Sequence, residues 1–361
     1  MLHEYTAAPP GATVSCTFGL AQLSANITDM IQLKRSLCSA NTKLLLITAA
    51  LLFGRYPLSW LLSGGGRRMR PDRFKNQQTQ LLSRPGGNTF FVEFDGAADS
   101  PPVVLIHGLN SDSRQWYHQR RWLRRHFRLV LVDLPGHGRS PRPSDLSVAA
   151  LAADLHHLVK TLRLESPVFY GHSLGSMLIL QYFKDGHRPL PGAAILQQSA
   201  YENPLRHTAL GPVLAMIQKP VLRPFLDFVK KHPALFQVLG WVSYLSGLSA
   251  AFYRFIFFTG RQPAADLRLM ARLAVNCPPD VVAEAILQMM SFDASAAMAE
   301  IEAPCLVLSG NQDRISRPYT AAYEAAKIPG ARHEQLPGGH LALVEWPEAT
   351  NHAIAAFLHT R

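Results

Sequence analysis

The sequence has few cysteines, and none of them is placed as a metal or disulfide motif would require. No Cys-x-x-Cys pair occurs, and no histidine stands beside a cysteine at metal-ligand spacing. We therefore predict no disulfide framework, no metal site and no cofactor. Cys305 opens the apolar run CLVLS, which favours a small buried side chain. The other cysteines are Cys16, Cys38 and Cys277.

Charged residues are also scarce, at 17% of the 361 residues against 48% hydrophobic ones, and this composition excludes a disordered chain. The net charge of +11 is concentrated near the N-terminus, where nine basic and three acidic side chains lie in the first 75 residues. The basic residues do not alternate with aromatic ones as in nucleic-acid-binding motifs. We therefore predict no nucleic-acid partner. The basic residues instead flank an apolar segment, which suggests a membrane surface as the reason for the charge.

That segment, LLLITAALLFGRYPLSWLL, covers residues 44–62 and is long enough to span a membrane. Arg55 and Pro57 interrupt it, so its insertion free energy is close to zero. Membrane association through 44–62 is expected, as a single N-terminal anchor, an interfacial segment, or a signal peptide whose apolar part is LLLITAALLF. Three basic residues precede the segment and five follow it, which favours a cytoplasmic body; a cleaved signal would mean export.

The rest of the chain divides into segments that differ in their hydrophobic pattern. Residues 1–43 show no periodicity and are predicted to be poorly ordered, with Met30 as an alternative start, and residues 63–87 resemble a basic linker. From about Thr89, short apolar runs alternate with helical patterns such as Leu151, Leu155 and Leu158. The runs are TFFVEF, VVLIH, RLVLVD, VFYG, AAILQQ and CLVLS. This alternation predicts a mostly parallel sheet with helices on both faces and functional groups at the carboxyl ends of the strands.

One strand end carries a candidate nucleophile within GHSLG. A sharp strand-to-helix turn that lifts Ser173 above the sheet strains the backbone and requires small residues two positions before and after it. Gly171 and Gly175 meet this requirement, and His172 completes the turn. The serine would then lie at a helix N-terminus, which favours developing negative charge.

Serine needs a base, and His340 is preferred because it follows Pro-Gly-Gly in a loop after a strand. The alternative, His333, lies within the strand-like RHEQL. Asp313, in a loop at the same sheet edge, is the favoured carboxylate for orienting the imidazole. Its alternative role is to cap the next helix, and Glu202 is the rival acid.

An acyl-transfer site also needs backbone donors for an oxyanion. Their positions are inferred as Leu174, directly after the serine, and Leu109, in the loop after VVLIH. By contrast, Asp133 and His137 in DLPGHGRS are interpreted as structural. The arginines at 114, 120, 121, 124, 125 and 128 are interpreted as a solvated helix face, with binding of phosphates or lipid headgroups as the alternative.

Taken in order, HG at 107, DLPGHGRS at 133, GHSLG at 171, GNQD at 310 and GGH at 338 resemble the landmarks of the α/β-hydrolase superfamily, over residues 88–361. The resemblance implies an α/β-hydrolase fold with a core at 88–200 and 291–361 and a helical cap at 201–290. The serine nucleophile argues against the epoxide hydrolase and haloalkane dehalogenase branches. An apolar N-terminal segment on such a body resembles membrane-anchored esterases of the monoacylglycerol lipase type.

We therefore expect a serine hydrolase that cleaves medium to long acyl esters through an acyl-enzyme. Ten aromatic residues between 221 and 258 suggest an apolar pocket roof. Lactonase, thioesterase, C–C bond hydrolase and perhydrolase activities would use the same residues, and a noncatalytic membrane-associated binding protein is the alternative of another class. The sequence makes no prediction of oligomeric state.

Overall fold

The structure, a computed structural model, describes residues 32, 39, 41–65 and 78–359. The predicted poorly ordered segment 1–43, with Cys16, Met30 and Cys38, lies almost entirely outside the described residues, as do residues 66–77 of the predicted linker. The chain divides into two compact units, Met1–Leu52 and Phe53–Arg361.

Eight strands form one sheet in the order β1-β2-β4-β3-β5-β6-β7-β8. β2 pairs antiparallel with β1 and β4, and all the other neighbours are parallel, which confirms the predicted mostly parallel sheet. The strands are β1 Gln78–Ser83, β2 Thr89–Asp95, β3 Pro102–Ile106, β4 Arg128–Asp133, β5 Val168–His172, β6 Ala193–Gln197, β7 Cys305–Gly310 and β8 Arg332–Leu336.

The central strands are apolar along their whole length because both faces of the sheet are covered. Alternate side chains of β3 show this: Val104 and Ile106 belong to one buried cluster, and Val103 and Leu105 belong to another. Successive residues of a strand point to opposite faces, so the two clusters are the cores on either side of the sheet. Cys305 is fully buried in the first of them, as predicted.

β1 corrects the prediction of a linker over 63–87, because residues 78–83 form an edge strand. The sequence QTQLLS has no alternation, and Leu82 is its one buried side chain. An edge strand with both faces largely exposed needs no apolar pattern, so periodicity did not reveal it.

The described helices include two at the N-terminus and a large group between β6 and β7. They are α1 Asn41–Phe53, α2 Arg55–Leu61, α3 Tyr117–Leu123, α4 Val148–Thr161, α5 Leu174–Lys184, α6 Gly211–Ile217, α7 Arg223–Lys231, α8 Pro233–Ser246, α9 Leu248–Ile256, α10 Ala264–Asn276, α11 Pro279–Met289, α12 Pro318–Lys327, α13 Ala342–Glu345 and α14 Pro347–Leu358. Ser147 caps α4 by accepting a hydrogen bond from the Ala150 N–H.

Helices α6 to α11 form the cap. Its junction with the core is made by the carboxylate of Glu345, which accepts hydrogen bonds from the backbone N–H groups of Thr259, Gly260 and Arg261. The Leu341 N–H also donates to the Phe257 carbonyl. These bonds hold the connection between α9 and α10 beside the loop that carries His340.

The predicted apolar segment 44–62 is not one helix, because the chain turns at Gly54, directly before Arg55 and Pro57. α2 packs against α8, α9 and α10. Its Ser59 is buried and accepts a hydrogen bond from Arg268 at 2.6 Å. Half of the segment is therefore part of the folded body.

Across the described ranges, no single helix is both long and apolar enough to cross a membrane. Two bent pairs, Asn41–Phe53 with Arg55–Leu61 and Pro233–Ser246 with Leu248–Ile256, meet the criterion by length and composition when taken together.

Candidate active site

Ser173 lies between β5 and α5 in a backbone conformation that residues other than glycine rarely adopt, with φ 52° and ψ −114°. Its N–H donates to the Gln197 carbonyl at 2.9 Å, which ties the turn to β6. A Cβ atom on Gly171 would lie 2.5 Å from the Gly175 carbonyl carbon, and one on Gly175 would lie 2.1 Å from the Ile106 carbonyl oxygen. Both glycines are therefore required by the close packing of α5 on β5 and β3.

Asp313 and His340 are brought together from loops after β7 and β8. The His340 Nδ1 lies 2.9 Å from Asp313 Oδ2, and both side chains are buried. A carboxylate only accepts, so Nδ1–H is the donor and Nε2 carries the lone pair. The Asp313 Oδ1 accepts from the N–H groups of Ile315 and Ser316 at 2.7 and 3.0 Å, so this residue also caps the following turn.

His172 supports the loop that carries His340. Its Nε2–H donates to the His340 carbonyl at 2.9 Å. Burial, reinforced by the neighbouring His340, lowers the pKa of His172 to about 3. The ring is therefore neutral at physiological pH, and it fixes the His340 backbone without competing as a base.

His107 has a similar structural role in the loop after β3. Its Nε2 accepts from the Leu134 N–H at 2.9 Å and its Nδ1–H donates to the Gly108 carbonyl at 2.8 Å. Burial lowers its pKa to about 4. A Cβ on Gly108 would lie 3.2 Å from the Ser173 Cβ, so the loop after β3 passes directly beside the serine.

The two inferred oxyanion donors are Leu109 and Leu174, and Leu174 directly follows the serine. Leu109 borders the same cavity as Ser173, and Leu174 is the first residue of α5. Neither backbone N–H donates to an acceptor within the described part of the chain. Both are therefore available to a bound oxyanion.

Ser173 and His340 open onto one cavity of about 280 Å³. Its walls come from the loop after β3, from α5 and from the cap. The lining residues are Leu109, Asn110, Ser111, Gln115, His172, Ser173, Met177, Ala200, Pro204, Leu205, Thr208, Leu214, Tyr253, Phe257, Met270, Ile286, Met289, Ile315, Ser316, His340 and Leu341. The described lining contains no Lys, Arg, Asp or Glu, so the cavity suits a neutral ligand.

The rival residues are engaged elsewhere. Glu202 pairs with Arg206 and His207, and His333 contacts the Ser309 hydroxyl at 3.0 Å. Asp133 accepts from the N–H groups of Ser113 and Arg139, in agreement with its structural interpretation. His137 is buried, and its Nδ1–H donates to the Pro135 carbonyl at 3.1 Å.

The arginines from 114 to 128 do not form a uniformly solvated face, which corrects that prediction. Arg120 is buried and pairs with Glu93 and Asp95, and Arg124 also reaches Asp95. Helical spacing alone could not show that two carboxylates of β2 lie beneath this helix.

The aromatic cluster of the cap contributes less to the cavity than predicted. Of the ten aromatic residues between 221 and 258, Tyr253 and Phe257 line it. Four others are exposed: Phe225, Phe228, Phe252 and Phe255. The remaining cavity wall is mostly aliphatic or methionine. The sequence analysis did not identify Asn110, Ser111 and Gln115 as lining residues, although they lie within the HGLNSDSRQW stretch that begins with the HG motif.

Among the described residues, no group of three or more His, Cys, Asp or Glu side chains is arranged as a metal site.

Residues 103–355 match a family model described as "Alpha/beta hydrolase family". The magnesium-chelatase 30 kDa subunit of Rhodobacter capsulatus is 24% identical over 76% of this chain and 92% of its own length. The putative carbamate hydrolase RutD of Pseudomonas syringae pv. syringae is 26% identical over 75% and 99%.

Among solved structures, a thermophilic esterase from Thermogutta terrifontis matches with a TM-score of 0.63 and 24% identity, over 79% of this chain and 98% of that one. This likeness shows a shared fold.

Proposed function

The chain belongs to the alpha/beta hydrolase family, and from this we propose that it is a serine hydrolase whose nucleophile is Ser173. The observation that carries the proposal is that His340, which is paired with the buried Asp313, lines the same cavity as the strained serine. The carboxylate holds the imidazole in the tautomer whose Nε2 can accept the serine proton.

The reaction would proceed in two halves. The Ser173 Oγ attacks the carbonyl carbon while His340 takes its proton, and the N–H groups of Leu109 and Leu174 stabilise the oxyanion. His340 then protonates the leaving alcohol, which departs and leaves an acyl-enzyme. In the second half, His340 removes a proton from water, the hydroxide displaces the serine oxygen, and the acid is released with Ser173 reprotonated.

We infer that the substrate is a neutral carboxylic ester with a medium to long acyl chain. Aliphatic and methionine side chains dominate the cavity, and each buried methylene would contribute about 0.8 kcal/mol to binding. A volume of about 280 Å³ lies near the lower limit for small-molecule sites. The chain length is therefore expected to be limited by the cap.

Labelling with a fluorophosphonate, together with hydrolysis of p-nitrophenyl esters from acetate to palmitate, tests this function. The wild type should be labelled and should prefer acyl chains longer than acetyl, whereas Ser173→Ala should lose both properties at an unchanged Tm. Ser316→Ala, which alters another serine of the same cavity, is the matched control and should still be labelled. If the wild type is neither labelled nor active on esters, lactones or thioesters, a noncatalytic binding role is favoured instead.

We also propose that the protein binds lipid surfaces. The exposed large apolar side chains are concentrated in α1, α2, α8 and α9: Leu44, Leu45, Leu46, Ile47, Leu51, Leu52, Phe53, Tyr56, Trp60, Leu61, Leu235, Val238, Leu239, Val242, Leu248, Phe252 and Phe255. Within each of the two compact units taken by itself, exposed apolar side chains in this number are typical of membrane or protein contacts. The neighbouring basic sequence favours an anionic membrane.

Vesicle flotation tests this second proposal. The full chain should float with anionic vesicles, and Leu45→Glu should float less because it places a charge on the apolar helix α1. Gln80→Glu adds the same charge at an exposed position of β1 and should float like the wild type. Wild-type protein that stays at the bottom of the gradient would contradict lipid binding.

A further inference from the structure

One segment of the cap, residues 255–261, contacts the loop of His340 on both sides of the histidine. The Phe257 carbonyl accepts a hydrogen bond from the Leu341 N–H at 3.2 Å. A Cβ atom on Gly339 would lie 2.5 Å from the same carbonyl oxygen, so the loop passes close to Phe257. The Phe257 ring also lies beside the imidazole, with 5.8 Å between the ring centroids. The position of His340 therefore depends on this segment.

The same segment contacts the loop of Asp313. Arg314 directly follows the aspartate, and its guanidinium donates a hydrogen bond to the Phe255 carbonyl. The Arg314 carbonyl accepts from the Ala209 N–H at 2.9 Å, just before α6. Because the loops of Asp313 and His340 both bind the 255–261 segment, its position affects the geometry of the pair.

Glu345 holds this segment in place. Its Oε1 accepts from the N–H groups of Thr259, Gly260 and Arg261 at 3.0, 2.8 and 2.8 Å, and from the Thr259 hydroxyl at 2.9 Å. The carboxylate is buried, and successive N–H groups that converge on one anion bind it strongly. Gly260 has φ 115°, a backbone conformation that residues with a side chain rarely adopt. Four donors on one carboxylate thus fix the segment.

Glu345 is also connected rigidly to His340. The helix α13 begins two residues after the histidine, and the Glu345 N–H donates to the Leu341 carbonyl at 3.0 Å. α13 is held in turn by Gln119, whose side-chain amide donates to the Leu343 carbonyl at 2.9 Å. One helical turn thus carries His340 at its start and the anchor of the 255–261 segment at its end.

We propose that Glu345 is a positioning residue, which holds the 255–261 segment so that the loops of Asp313 and His340 keep the spacing that proton transfer requires. This inference rests on the proposed serine hydrolase function. Glu345 does not line the cavity, so the segment transmits its effect on the reaction. Catalysis is sensitive to such contacts, because a misplacement of about 1 Å caused far from the reacting atoms lowers the rate by about 10²-fold.

Glu345→Met tests the proposal, because it keeps the length of the side chain and removes both acceptors. It should lower kcat for p-nitrophenyl acetate and for p-nitrophenyl octanoate by the same factor, about 10- to 100-fold, with KM changed by less than about threefold. Glu345→Gln retains an oxygen that can accept from the N–H groups and should keep most of the wild-type kcat. A cap that is only loosened would weaken binding of the octanoyl chain and spare the acetate, so loss on octanoate alone would overturn the inference.

Glu93→Gln is the control for stability. Glu93 is also buried, and it pairs with Arg120 and Arg139 away from the cavity. Its variant should have a lower Tm at an unchanged kcat, which separates positioning of His340 from stability of the fold. A kcat in Glu93→Gln that falls as far as in Glu345→Met would contradict a specific role for Glu345.

Arg314→Met tests the contact on the Asp313 side at an exposed position, where the fold tolerates the change. It removes the hydrogen bond to the Phe255 carbonyl and should lower kcat several-fold on both esters. Arg317→Met removes the same charge from an exposed position three residues further along and should keep the wild-type kcat. An unchanged kcat in Arg314→Met overturns the inference, whether or not Glu345→Met folds.

The outcome also separates this inference from the function on which it rests. If the wild type hydrolyses both esters and folded Glu345→Met keeps its kcat, the serine hydrolase function stands and the positioning role of Glu345 is wrong. If the wild type hydrolyses neither ester and no fluorophosphonate label is found on Ser173, both are wrong.

Discussion

The two oxygens of Asp313 have different partners, and this division decides what each substitution should do. Oδ2 accepts from His340, whereas Oδ1 accepts from the N–H groups of Ile315 and Ser316. From the sequence, orientation of the histidine and capping of the next turn were alternatives. In the structure one carboxylate does both, because its oxygens point to opposite sides.

Asp313→Asn should lower kcat by a factor on the order of 10⁴ with a small change in Tm. The amide oxygen can still cap the turn, but the NH₂ group would then face His340 and favour the tautomer in which Nε2 carries the proton. Steady-state kinetics and thermal unfolding measure the two effects. Asp313→Ala, which also removes the cap, should have a distinctly lower Tm; an Asn variant with more than a tenth of wild-type kcat would contradict the assignment.

At the scale of elements, α11 separates two apolar spaces. Ile286 lines the active-site cavity and also a neighbouring cleft of about 310 Å³ between α7, α8, α10 and α11. That cleft is bordered by Phe225, Leu226, Val229, Phe236, Gln237, Gly240, Ala274, Val275, Cys277, Pro279, Val282, Ala283 and Ile286. Among the described residues, Ile286 is thus the side chain that the active-site cavity and this further apolar volume have in common.

Ile286→Ala should shift the preferred acyl chain of p-nitrophenyl esters to longer lengths, because the truncated side chain lets the acyl chain enter the neighbouring cleft. Each additional buried methylene would add about 0.8 kcal/mol, or roughly fourfold in kcat/KM. Val282→Ala, which alters the cleft and not the cavity, is the control and should keep the wild-type optimum. An unchanged optimum in Ile286→Ala would show that the two spaces do not communicate.

At the scale of the whole molecule, buried neutral histidines join the loops at the carboxyl edge of the sheet. His107 connects the loop after β3 to the end of β4, and His172 connects the end of β5 to the loop of His340. Burial lowers the pKa of His107 and of His137 to about 4, and that of His172 to about 3. The arrangement of the loops at this edge of the sheet therefore depends on the imidazole rings of His107, His137 and His172 remaining uncharged.

The free energy of unfolding should fall as the pH decreases below about 6.5. The unfolded chain binds protons on these histidines below that pH, whereas the folded chain does so near pH 4 or lower. Their stabilising contribution is thus complete above the unfolded pKa and is lost on acidification, by up to about 1.4 kcal/mol per pH unit for each ring. Urea unfolding at about pH 7.5 and about pH 5 measures this; equal stability at both would contradict it.

The sequence by itself determined the sheet, the strand ends and the candidate residues Ser173, Asp313 and His340, because apolar runs and glycine positions are local signals. Local signals could not reveal β1, whose two faces are mostly exposed, or the turn at Gly54 that lets α2 pack on the cap. Tertiary structure alone decided that Arg120 is buried against Glu93 and Asp95 and that most of the cap aromatics do not line the cavity. It also decided that the side-chain amide of Gln115 is buried without a partner among the described residues. Each of these depends on which distant residues come together, and that is a property of packing.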